Sequence, residues 1–256
     1  AFMRFTSRLI QIVFLASCIL SFVGWPSIGD INVGKAISAG TDAVKAVSIS
    51  DDEVKSMAQQ YARHSDSTQK VASADSKYSQ RLNKLTSKHR NEDGLKLNFK
   101  AYMSSEVNAF ALADGSVRVY SGLMDLMTDD NELLSVIGHE IGHVKLAHSK
   151  AQMRQAYLTS AARKGVGMSQ STAGTLASSQ LGALGEELLG AQYSQGQEKD
   201  ADDYGLSFLK RNGYNPKGSV SALKKLAKLG SSSSIFSTHP DSNKRAARIE
   251  AQLSKG

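Results

Sequence analysis

The chain has a single cysteine among its 256 residues, so no internal disulfide can form and stability has to come from packing. Only three prolines and 41% hydrophobic residues exclude a disordered, proline-rich chain and leave an ordinary globular protein with room for one main core. Charge of one sign is scarce too. The net charge is +7, with no dense Lys/Arg block and no interleaved aromatics. A nucleic-acid partner is therefore not expected, and a solvated basic surface compatible with weak attraction to anionic membranes accounts for the excess. Beyond residue 25 there is no apolar run long enough to span a bilayer.

What is present begins at the N-terminus. Arg4 and Arg8 precede an apolar stretch from Leu9 to Ala16, followed by small Ser17 and then Cys18. That order is a basic region, an apolar region and a small residue before a cleavage point, the layout of a secretory signal. Leu15-Ala16-Ser17-Cys18 also resembles the bacterial lipobox, in which the cysteine is acylated, and lipid on Cys18 gives the lone cysteine a purpose. The rival is an uncleaved inner-membrane anchor, because apolar character continues to Trp25. Residues 1–17 are read as a signal peptide, 18–49 as a lipid-anchored tether and 50–256 as the main folded domain. Ile19 stands where an Asp typically retains bacterial lipoproteins at the inner membrane, so the outer membrane is favoured.

Along the body, Ser50 with Glu53 is a capping box and predicts a helix over about residues 50–64; a second is expected over about 71–90, with Tyr78, Leu82 and Leu85 on one stripe. The period then changes. Residues 95–103, 107–112 and 116–122 alternate or run apolar, with Asp114-Gly115 as a tight-turn signal, and read as a small antiparallel sheet. Asp129 with Glu132 starts another helix. Residues 160–197 are rich in Ala, Ser, Gly and Gln and fit either a flexible connection or close-packed helices. Further helices are expected over about 197–213, 216–229 and 241–253, with residues 231–240 as a loop.

The helix begun at Asp129 carries His139-Glu140-Ile141-Gly142-His143, an H-E-x-x-H motif. Positions i and i+4 lie on one helix face, so both imidazoles can reach one metal ion while Glu140 leans towards a water at the same site. The motif arises by chance in roughly 0.5% of chains of this composition, so its setting matters. Ile137, Ile141 and Val144 surround it with apolar surface, and Gly142, costly inside a helix, implies a close approach. His148 is five residues past His143, about 140° round a continuous helix, and is read as structural or supporting rather than a ligand.

A catalytic zinc needs a third protein ligand and an open position. Glu198 and Asp202 are again i and i+4: Glu198 is the candidate third ligand, and Asp202 can brace a ligand histidine. Asp200 and Asp203 need no more than a role at an acidic helix start. His239, before Pro240, can donate to a developing oxyanion, or can occupy the open position and silence the site.

These stretches together, residues 108–144, 194–205 and 239–249, resemble the HtpX-type zinc metallopeptidases, and the likeness covers about residues 50–250 in the family's order. The resemblance implies an α+β fold, a mainly helical zincin-type domain with a small antiparallel sheet beside the HExxH helix. It implies one Zn2+ per chain held by His139, His143 and Glu198, with Glu140 as general base, Asp202 in support, and His239 and Arg245 near the active site. The strand "NAFAL" corresponds to the family's edge strand, which pairs with extended substrate backbone and so suits unfolded or misfolded polypeptides, here envelope proteins of the bacterial periplasm. Two departures stand out: Ala113-Asp114-Gly115 replaces Pro-Gly-Gly after that strand, and Asp200 replaces a glutamate. The rival to an endopeptidase is a latent or non-catalytic zinc-containing chaperone or binding module.

Overall fold

The structure is a computed structural model and describes residues 49–164, 175–230 and 234–255. The expected signal, the lipobox-like stretch with Cys18 and the expected tether up to residue 48 lie outside the described residues, as do residues 165–174 within the small-residue stretch.

Helices begin where a side chain can cap them. Ser50 caps α1 (Asp51–Thr68), Asp129 caps α4 (Asp130–Lys145) and Ser194 caps α7 (Gln195–Arg211), each through a complete capping box with Glu53, Glu132 or Gln197. Between the first two lie α2 (Lys77–Thr86), a 3-10 turn at Ser87–His89 and, after the sheet, α3 (Ser121–Leu126). The helix expected over 71–90 is therefore shorter. Val71 instead makes an antiparallel bridge to Tyr102.

The sheet differs from expectation in one pairing. Strands β1 (Asn98–Tyr102), β2 (Ala109–Ala111) and β3 (Ser116–Tyr120) take the order β1-β3-β2. β2 and β3 form the antiparallel hairpin that Asp114-Gly115 announces, but β1 runs parallel to β3, so the sheet is mixed. The chain leaves β1, crosses to the far side and folds back, which places β3 in the middle and β2 at the edge. Gly115 turns the hairpin at φ 89°, and a Cβ there would run into the Lys96 carbonyl oxygen. The central strand carries a buried Arg118, whose Nε and Nη2 reach Asp66 of α1 at 2.8 and 3.1 Å.

After α4 come α5 (His148–Lys164), α6 (Ser178–Gly190), α7, α8 (Lys217–Ala227), a short α9 (Ser234–Thr238) where a loop is expected, and α10 (Ser242–Leu253). Within the small-residue stretch, α6 is close-packed: a Cβ on Gly185 would meet the Tyr61 ring at 2.7 Å. The main core lies between the sheet, α4 and α7, with Leu133, Leu134, Ile137 and Ile141 against Val119 and Phe208. A second cluster joins α1, α5 and α6, and a third joins α7, α8 and α10. Among the described residues no helix is long and apolar enough to cross a membrane.

Candidate metal centre

α4 and α7 meet backbone to backbone because glycine lines the contact on both sides. A Cβ on Gly138 would meet the Phe208 ring at 2.7 Å, and one on Gly142 would meet the Ala201 carbonyl oxygen at 3.1 Å. This approach carries Glu198 and Asp202 on α7 to His139 and His143 on α4. His239, after α9, and Arg245, on α10, close the site from the C-terminal side. All of these side chains are buried.

One donor atom each from His139, His143, Glu198 and His239 lies within 4.8 Å of the others. His139 Nε2 and His143 Nε2 are 3.0 Å apart, and His143 Nε2 is 3.3 Å from Glu198 Oε1. His139 Nδ1 faces Asp202 Oδ1 at 3.0 Å, which places its proton there and leaves Nε2 as a lone pair. Lone pairs of two imidazoles and a carboxylate thus converge in a space closed to solvent. Such a group of donors repels itself unless a cation sits among them, and two nitrogens with one oxygen suit zinc. Glu198 Oε2 is ion-paired with Arg245 Nη1, which leaves Oε1 as the oxygen facing the histidines.

The charges are set by the same neighbours. Burial alone would raise Glu198, but His239, His139 and His143 hold its carboxyl far below the ordinary range. Asp202 behaves likewise, with Arg245 and His139 overcoming burial. Burial drives His143 well below the usual imidazole value, so it is a neutral donor. Burial pushes the Glu140 carboxyl up, against the pull of His239 and His139. His239 is raised in spite of its burial, because it sits between two carboxylates. Its Nδ1 is 2.9 Å from Glu198 Oε1 and its Nε2 is 3.5 Å from Glu140 Oε1. Two cavities of about 30 Å³ each flank Glu140, one bordered by the edge strand β2 and Tyr193, the other by Val136, Leu223 and Arg245. Each has room for about two waters.

All six expected residues, His139, Glu140, His143, Glu198, Asp202 and His239, are brought together. Two groups carry more than their sequence positions announce. Arg245 Nη2 donates to Asp202 Oδ1 at 2.6 Å and its Nη1 lies on Glu198, so one guanidinium steadies both carboxylates. Tyr193, unremarked in the sequence, stacks on His143 with ring centres 3.7 Å apart and planes 17° from parallel. Its one signal is an aromatic residue directly before the cap of the Glu198 helix. His148 stands outside the four-residue cluster, as expected, but its Nδ1 lies 3.2 Å from His143 Nδ1. Asp203 pairs with Arg248 at 2.5 Å, away from the cluster.

Comparison with known proteins agrees with this chemistry. The family model of peptidase family M48 matches residues 73–253. The chain is similar to metalloprotease LoiP of Escherichia coli (strain K12), 45% identical over 221 residues, which are 85% of this chain and 87% of that protein. It is 43% identical over 229 residues to metalloprotease YcaL of the same organism, 88% of this chain and 90% of that one. To the beta-barrel assembly-enhancing protease of Yersinia pestis it is 34% identical over 184 residues, 64% of this chain and 37% of that longer protein.

Proposed function

Because the chain belongs to peptidase family M48 and is a zinc metalloendopeptidase, we propose that it works in the bacterial cell envelope, cleaving misfolded or unassembled envelope proteins. His139, His143 and Glu198 hold the zinc in this reading. The observation that carries it is the convergence of their donor atoms beside a buried Glu140.

Zinc bound there supplies a Lewis acid that polarises the scissile carbonyl and acidifies the attacking water. Glu140 takes the water's proton and then delivers it to the leaving amine nitrogen; burial raises its carboxyl, which favours holding that proton between the two steps. His239 Nε2, 3.5 Å from Glu140 Oε1, is the donor in this reading for the oxyanion that develops beside Glu140. Asp202 fixes the tautomer of His139, and Arg245 keeps Asp202 in place. The free edge of β2 gives an extended substrate a backbone ladder to join, which selects for unfolded segments rather than particular side chains. The envelope setting draws on the signal-like N-terminus with its lipobox-like stretch and on similarity to the beta-barrel assembly-enhancing protease of Yersinia pestis. Residues 1–17 are then the signal, 18–49 a tether lipid-anchored through Cys18, favouring the outer membrane, and 50–256 the protease domain.

A second reading, a latent protease, is favoured by one observation: His239 Nδ1 is 3.3 Å from His139 Nε2, close enough to join the ligand set.

Metal analysis and casein cleavage of wild type and Glu140→Gln test the proposal together. One zinc per chain in both, with cleavage by the wild type alone, is the expected result. Cleavage by Glu140→Gln removes the general base from the mechanism, and absence of zinc removes the site.

A further inference from the structure

We propose that His148 is a positioning residue for the zinc ligand His143: its Nδ1 accepts the proton on His143 Nδ1 and so leaves His143 Nε2 bare for the metal. The inference rests on the reading that His143 holds zinc.

A neutral imidazole carries one proton, and a nitrogen that faces a cation cannot be the one that carries it. The proton of a ligand histidine therefore sits on the other nitrogen. When the ring is buried, that N–H needs an acceptor. His139 meets the requirement with Asp202. His143 is fully buried, and among the described residues the hydrogen-bond partner of its Nδ1 is His148 Nδ1 at 3.2 Å. Only one of two facing Nδ1 atoms can hold a proton, so His148 must keep its own on Nε2. Tyr193, stacked flat on the His143 ring, prevents that ring from turning away from its acceptor.

The backbone is bent to make this contact. On a continuous helix His148 would point elsewhere. Instead α4 ends at Lys145, Ala147 adopts φ 59°, and α5 begins at His148. Left-handed backbone is rare for alanine and persists where the surroundings demand it. Here the turn returns the His148 ring to His143, with ring centres 5.3 Å apart.

The test uses the full chain loaded with one zinc. In 15N-labelled wild type, ring spectra should show His143 protonated at Nδ1 and His148 protonated at Nε2; a proton on His148 Nδ1 overturns the proposal. His148→Leu should bind zinc about 10- to 100-fold more weakly in chelator competition and shift the visible bands of the cobalt-loaded protein. His148→Asn places a side-chain oxygen where Nδ1 lies and should restore most of the affinity. Wild-type affinity in His148→Leu overturns the proposal, and the wild-type ring spectra decide alone should that variant fail to fold. His143→Ala separates the two layers. Loss of zinc there, with zinc kept by His148→Leu, removes only the positioning role. Zinc kept by His143→Ala removes the ligand assignment beneath it.

Discussion

Gly205 of α7 lies so near α4 that a Cβ on it would stand 3.0 Å from the backbone nitrogen of His139. Its other close neighbours there are Gly138 C and His139 Cα, both at 3.4 Å, so everything it would touch is backbone of a well-packed helix and cannot swing aside. Gly205→Ala should therefore push the helices apart, costing about 1–3 kcal/mol of stability and drawing Glu198 and Asp202 away from the histidines. Thermal unfolding and zinc affinity measured on one preparation check both halves. Wild-type values for each would mean that the helix spacing does not hold the site together.

Asp202 stands between His139 and Arg245 and is needed by both. Asp202→Asn removes the negative charge while keeping the shape, leaving a buried guanidinium under-compensated and His139 with a weaker acceptor. Zinc affinity should fall about 10- to 100-fold in chelator competition. An unchanged affinity would confine Asp202 to packing.

His239→Ala distinguishes the two readings of the site. As an oxyanion donor its loss should lower kcat for casein by about 10²-fold while one zinc per chain is retained. As an inhibitory ligand its loss should raise the rate instead. Loss of the zinc itself would make His239 a structural ligand and contradict both.

Acid sensitivity should arise away from the metal as well. Burial alone would lift Asp66 above the ordinary 3.8, but hydrogen bonds from Arg118, Lys100 and Tyr102 outweigh it and hold the carboxyl lower. A depressed folded pKa contributes stability that is complete above the unfolded value and is lost as pH falls through the folded one. Asp66→Asn should thus cost about 3–5 kcal/mol at pH 7, where it strands buried Arg118. The gap to wild type should narrow below about pH 4. Urea unfolding at pH 7 and pH 3.5 measures it, and a gap of equal size at both would refute the ion-pair account.

The metal centre was readable because its parts repeat one local spacing. His139 with His143, and Glu198 with Asp202, each span a single helical turn, and the helix that carries the histidines shows its cap, Asp129 with Glu132, in the sequence. The sheet was half readable. Asp114-Gly115 announces the β2–β3 hairpin, but no local signal records that β1 docks on the far side of β3, since that pairing closes a long loop. His148 was expected to be structural or supporting and stands outside the four-residue cluster, but its contact with His143 was not legible: the angle was counted along a helix that stops at Lys145, and an alanine gives no warning of φ 59°. Tyr193 and the double grip of Arg245 are tertiary contacts between segments far apart in the chain, and period or capping cannot report them.

The groups that meet at the centre are drawn from α4, α7, the turn after α9 and α10, and Arg245 on α10 is the last of them in sequence. The guanidinium that steadies Glu198 and Asp202 therefore reaches them only once α10 has docked on α7. Docking of α10 and assembly of the metal centre are thus a single event, and whatever loosens that helix loosens the grip on both carboxylates.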